Sequence, residues 1–217
     1  MKTSLSRLAL AAATLAILSP ASLPAGAVPA ADDTYYPLAK GSKWTYTTDY
    51  ADDTVLVHEV TGTEKVGEVE CFVVEHKTVG PTLGTRMMRK EWLAADGDGI
   101  LIHKVSRGKS ELDVVKPFFK IKHILRKDDE WNGQAKAEEN APHYEYRVEG
   151  EEDLEVPAGK YRAVKVHLKI ESGTRHSAEG SEWYAKNVGI VKSEITIRAA
   201  GEDFTMVSEL KKFEPGK

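Results

Sequence analysis

Period-two alternation of apolar and polar side chains constrains this chain more than any other feature. In "SKWTYTTDY" Trp44, Tyr46 and Thr48 share one face, "TVLVHEV" follows Asp52 and Asp53, and "VHLKIES" brings Val166, Leu168 and Ile170 together. Such runs are half-buried antiparallel strands. Turn signals at Gly62, Gly67, "DGDG", "RGKS" and "VPAGK" recur between them. The one helix-like stretch, "WNGQAKAEEN", has almost no apolar face and reads as a loop or a short surface turn of helix. The expected class is all-β, a long antiparallel meander in a curved sheet, a half-barrel or a sandwich.

The chain also repeats itself. "LAKGSKW" (38–44) returns as "LRKDDEW" (125–131), "VTGTEKVGEVEC" (60–71) as "VEGEEDLEVPAGKYRA" (148–163), and "EWLAADGDGILIHK" as "EWYAKNVGIVKS". Trp44 thus matches Trp131, and Trp92 matches Trp183. Landmarks in one order at nearly constant offset predict two duplicated halves, about 35–110 and 122–210, rather than a solenoid of short repeats. Each half is expected to hold a tryptophan-led entry strand, a hairpin pivoting on V-x-G-x-E and a closing strand opened by Glu-Trp. A cleft between the halves would be the natural place for a ligand.

The first residues predict an exported protein. Lys2 and Arg7 precede an apolar run from Leu8 to Leu18, which breaks at Ser19 and Pro20. That is a signal peptide, 1–27, with cleavage after Ala27. No later stretch is apolar for long enough to cross a bilayer as a helix, so 28–217 is expected to be a single domain in the periplasm or medium. Without Lys2 and Arg7 the 30 basic residues become 28 against 34 acidic, a net charge of −6. That acidity argues against a nucleic-acid partner, which needs a basic surface to displace phosphate counterions. Cys71 is the only cysteine, so no intramolecular disulfide can form, and its strand-like setting in "VECFVVEH" marks it as a buried small hydrophobe.

Motifs for chemistry are sparse. Asp96 and Asp98 in "DGDG" could begin a calcium loop, but an EF-hand frame through Asp98 and Gly99 puts Ala94 first and Val105 twelfth. The matching stretch "AKNVGIVK" keeps Gly189 and loses both aspartates, so the shared feature is a turn. His58, His76, His103, His123, His143, His167 and His176 are scattered without ligand spacing, which predicts no metal site. Of these, His58, His76, His103 and His167 read as solvent-facing or hydrogen-bonded strand residues. The acidic runs "EEDLE" and "RKDDEW" read as solvated loops. The tryptophans, being repeat landmarks, are expected in the core. No catalytic residue, binding residue or cofactor is assigned by these patterns.

"YYPLAKGSKWTY", "VPAGKYRAVKV" and "EWYAKNVGIVKSE" resemble a secreted bacterial family of uncharacterised function labelled TapB-like, over Tyr35 to about Glu209. The resemblance implies an extracytoplasmic all-β domain akin to the open half-barrels of lipoprotein carriers, and carries no catalytic residues. The shortage of helix departs from those carriers, whose barrels are plugged by helices. The expected function is non-enzymatic binding of an apolar small molecule, or of an envelope protein's extended segment, on the concave side or edge of the sheet. A structural or assembly role in the envelope and a cleft hydrolase are the rival readings.

Overall fold

A computed structural model describes residues 33–49, 51–82, 84–107, 110–137, 140–174, 176–199 and 201–217. The signal peptide expected over 1–27 lies outside them. Twelve strands follow one another: β1 (Lys43–Thr48), β2 (Val55–Val66), β3 (Val69–Gly80), β4 (Gly84–Ala95), β5 (Gly99–Arg107), β6 (Ser110–Lys122), β7 (Glu130–Gln134), β8 (His143–Val156), β9 (Gly159–Ser172), β10 (His176–Ala185), β11 (Gly189–Ala199) and β12 (Glu202–Glu214). They form a single antiparallel sheet in the order β6-β5-β4-β3-β2-β1-β12-β11-β10-β9-β8-β7. The first and last strands are therefore neighbours, and the two sheet edges, β6 and β7, are consecutive in the chain.

Those edges meet. Val114 bridges Ala135, the Lys136 N–H donates to the Asp113 carbonyl at 2.6 Å, and the Trp131 indole donates to the Phe119 carbonyl at 2.7 Å. The result is one nearly closed barrel, which hides most of the edge that an open sheet would expose. In the β5–β6 ladder the register jumps from Ile102–Phe118 to Lys104–Asp113, and Pro117, which has no N–H to offer, sits in that interruption.

The barrel corrects two local expectations. "WNGQ" is not loop or helix but strand β7, with Trp131 and Gly133 buried and their neighbours exposed. Its inward face looks empty in the sequence because the filling ring comes from β6: a Cβ on Gly133 would lie 2.0 Å from Cγ of Phe118. V-x-G-x-E is likewise not a hairpin pivot. The turns lie further on, at Gly67 and at Ala158, and the motif marks a bulge inside each strand, between Val60 and Gly62 in β2 and between Val148 and Gly150 in β8. A second pair of bulges falls between Trp92 and Leu93 and between Trp183 and Tyr184. Bulges increase local twist, which a long meander needs in order to curl closed.

Trp44, Tyr46, Leu93, Ile102, Ile121, Tyr184, Ile190 and Leu210 are among the most deeply buried side chains of the core. The segment before β1 packs into it, with Tyr36 stacked 5.2 Å from Trp44 and the Asn187 N–H donating to the Thr34 carbonyl at 2.7 Å. The β8–β9 turn folds in as well, its Ala158 N–H bonding the Leu210 carbonyl at 2.8 Å.

All four tryptophans are buried; Trp92, Trp131 and Trp183 each lie beneath lysine side chains, and Trp92 packs in a small cluster apart from the main core. The Trp92 indole donates to Glu64 of β2, and the Trp183 indole to Glu152 of β8. Cys71 is wholly buried beside Trp92, Val73 and Ala94, and burial pushes its thiol up to about 11.

Candidate functional site in the barrel interior

Cross-strand register places a row of polar side chains on one wall of the barrel. His58 of β2 pairs with His76 of β3, which pairs with Arg89 of β4. The Tyr46 and His58 rings are 4.8 Å apart, and the two imidazoles 4.1 Å apart. On β12, next to β1, Ser208 extends the row. The strands on the far side, β9 to β11, present Leu168, Ile170, Ala178, Ile195 and Ile197. Between the two walls lies a cavity of about 260 Å³. Its lining comes from strands on both sides of the chain's midpoint.

A second cavity of about 220 Å³, more open to solvent, shares Ile170, Ala178 and Ile197 with the first and continues past Val105, Leu112, Pro142 and Tyr144. Either alone is smaller than the roughly 300–1,000 Å³ usual for a ligand pocket, whereas a single run through both falls in that range. An outer depression of about 460 Å³ beside β7 is larger, but Glu130, Asn132, Glu145, Arg147, His167 and Lys169 dominate its lining. It has no continuous apolar wall with which to hold a ligand.

Glu91 organises the polar wall. Its carboxylate lies 3.1 Å from His76 Nε2, 3.4 Å from the Arg89 guanidinium and 3.4 Å from Lys120 Nζ. Burial alone would raise its pKa, but Arg89, Lys120 and His76 together hold it well below the usual carboxylate range. Burial lowers His76 to about 4, Arg89 adds to the effect, and the imidazole is neutral at pH 7. Burial, then His76, also push His58 well below its ordinary value. Two cations share one carboxylate, so Arg89, Glu91 and Lys120 carry one net positive charge. Glu182, on the opposite wall, accepts a hydrogen bond from the Tyr184 hydroxyl.

The wall is not fully satisfied internally. The Ser208 hydroxyl and His58 Nδ1, both in the cavity lining, are buried without a hydrogen-bond partner, as is the Tyr36 hydroxyl below. Such atoms cost free energy unless something else meets them. Because Ser208 Oγ and His58 Nδ1 are each unpartnered, they do not form a nucleophile–base pair with one another. The barrel therefore gathers histidine, serine and carboxylate without connecting them as a catalytic triad would.

Of the residues singled out by sequence, His58 and His76 line the first cavity and His176 the second, and the others fall elsewhere. His58 and His76 are inside the barrel rather than solvent-facing, because the β2 and β3 alternation places them on the face of Leu56, Val60 and Val74, and His76 is hydrogen-bonded, the other setting expected of it, to Glu91. His167 sits 3.3 Å from Glu179 and His143 3.3 Å from Glu145 on the outside. Asp96 forms the β4–β5 turn: its Oδ1 accepts the amides of Asp98 at 2.8 Å and Gly99 at 2.9 Å. "EEDLE" is exposed, but as part of strand β8 rather than a loop. Among the described residues no three histidine, cysteine or carboxylate side chains are grouped to hold a metal. Arg89, Lys120, Ser208 and Glu182 gave no motif; the only hint was that Glu91 and Glu182 each precede a repeated tryptophan.

A DUF3108-like family model matches residues 130–196, a stretch that includes "VPAGKYRAVKV" and "EWYAKNVGIVKSE". No curated protein matches the chain. Among solved structures, a "putative lipoprotein" of Parabacteroides distasonis is similar at 15% identity and a TM-score of 0.48, over 84% of this chain and 99% of that one. A "putative exported protein with YmcC-like fold" of Bacteroides fragilis is similar at 16% identity and a TM-score of 0.47, again over 84% and 99%.

Proposed function

We propose that this protein is an extracytoplasmic binding protein that holds an apolar or amphipathic small molecule inside its barrel. One observation carries the reading: a cavity walled on one side by Leu168, Ile170, Ala178, Ile195 and Ile197 is lined on the other by His58, His76, Arg89 and Ser208, of which Ser208 and His58 each keep a buried polar atom without a protein partner. A barrel built only for structure would fill that space with side chains, as small barrels do. The basic, apolar leader supports export. The three stretches that resemble the TapB-like family are consistent with export.

We also read the two six-strand halves as copies of one ancestral unit. In support, the bulges and the Trp–Glu pairs recur at matching places: Val60 with Val148, Trp92 with Trp183, and Glu64 with Glu152. The cavity would then lie between copies that have diverged, with His58, His76 and Arg89 on β2 to β4 and mostly apolar side chains on β9 to β11.

The test is native mass spectrometry of the protein purified from its own compartment without detergent. A bound molecule at one per chain, released on denaturation, is expected. Repeated recovery of the bare chain from fresh preparations would contradict the proposal.

A further inference from the structure

We infer that the ligand is a single-chain amphiphile with an oxyanionic head, a carboxylate or a phosphate, and that Arg89 receives that head. This inference rests on the binding reading above and goes further by naming the chemical class. Donors line one side of the cavity, from Ser208 of β12 through His58 of β2 to Arg89 of β4. Arg89 spends one contact on Glu91, at 3.4 Å, while about a third of its side chain stays accessible, and it lines the cavity. A guanidinium has five N–H donors in a planar fork that suits two oxygens of one group. Ser208 brings a buried hydroxyl with no partner, and His58 a ring nitrogen with none. Neither has an acceptor or donor of the protein to satisfy it, so a group that arrives with several oxygens is the complement both lack.

Charge points the same way. Glu91 is shared by Arg89 and Lys120, and Glu182 across the cavity is the second carboxylate that Arg89 feels, so the charge is balanced over the whole site but polarised, with its positive end on the β4 side. Glu182 supplies a negative charge on β10 and already holds the Tyr184 hydroxyl. An anionic head is therefore favoured on the β4 side and disfavoured beside Glu182, which gives the ligand one orientation. The chain then lies along Ile195, Ile197, Ile170 and Ala178 into the second cavity, whose arginine, Arg198, is already held through two hydrogen bonds by Asp203. Its lining includes Ser106, Ser172, His176 and Ala199, next to the hairpins at that end, so the tail runs toward the hairpin end and the head stays deep.

The test compares titration of a long-chain fatty acid with that of its methyl ester, which has the same chain and no charge, into wild type, Arg89→Met and Ser208→Ala. Wild type should bind the acid at least about tenfold more tightly than the ester. Arg89→Met should remove that preference and leave ester affinity within about twofold, and Ser208→Ala should reduce the preference without changing the melting temperature greatly. An alkyl phosphate of equal chain length, run in parallel, distinguishes the two oxyanions. Equal binding of acid and ester to wild type, or an undiminished preference in both variants, would overturn the oxyanion assignment and leave the binding reading standing. If neither amphiphile nor ester binds wild type, the binding reading itself fails.

Discussion

His76 Nε2 lies 3.1 Å from Oε2 of Glu91, with both side chains almost wholly shielded from solvent. The imidazole is neutral at pH 7, so the contact is a hydrogen bond donated by a neutral ring, and the charge of Glu91 is balanced by Arg89 and Lys120. That arrangement makes the barrel acid-sensitive. An unfolded histidine takes up a proton near its ordinary pKa of 6.5, whereas folded His76 does so only near 4. Between those values the unfolded state binds more protons, so stability falls as the pH drops. Above pH 6.5 this group contributes no slope. His58 acts in the same direction. Glu91 adds a loss at lower pH, where its depressed folded pKa is crossed. Urea unfolding at pH 7, 6 and 5 should therefore give stabilities that decline by less than about 1 kcal/mol from pH 7 to 6 and more steeply from pH 6 to 5, approaching about 1.4 kcal/mol per pH unit for each buried histidine. His76→Gln should flatten the curve by about one proton.

Removing the carboxylate is expected to be costlier than removing any surface acid. Glu91→Ala strands Arg89 and Lys120 without their common counter-ion, and breaking a buried charge pair costs about 3–5 kcal/mol. Glu155→Ala, at an exposed pair with Lys160, should cost less than about 1 kcal/mol. Denaturant midpoints of the two variants check the contrast.

Closure of the barrel depends on a glycine. At Gly133 a Cβ would overlap the Phe118 ring, so Gly133→Ala should destabilise by about 1–3 kcal/mol through overpacking at the β6–β7 seam. Gly97→Ala, where nothing lies within 4 Å of the added atom, is the matched control. Amide exchange in Val114 and Lys136 should quicken in the first variant and not in the second.

Cys71 should be inert in the folded protein. Its thiol is wholly buried and raised to about 11, so a disulfide reagent at pH 8 should react only after denaturant is added. Full modification of the native chain within minutes would contradict the packing of Cys71 under Trp92.

The strands were legible because alternation is a local signal: Trp44 and Tyr46, or Val166 and Leu168, announce their face within a few residues. The bulges were not. A glycine at Gly62 or Gly150 reads as a turn in one dimension, and only the register with β3 or β9 reveals an extra residue within a continuing strand. The interior site was hidden for a related reason. Glu91 and Trp92 are adjacent, and the ordinary expectation places the ring inside and the acid outside, whereas the barrel does the reverse. The pairing that makes this tolerable, with Arg89, His76 and Lys120, spans three strands and up to 29 residues of sequence. No spacing motif encodes it. The cavity is less legible still, since it is defined by the volume that Ala178, Ser208 and their neighbours do not fill.

Ala178 lies in the wall shared by both cavities, so its enlargement tests the central claim most directly. The measurement is titration of a neutral apolar fluorophore such as phenylnaphthylamine into wild type and Ala178→Trp, with melting temperatures recorded alongside. Binding inside the barrel predicts saturable one-site binding to wild type and a loss of about tenfold or more in the variant, with folding intact. Equal binding by the two proteins, or no saturable binding by wild type, would contradict it.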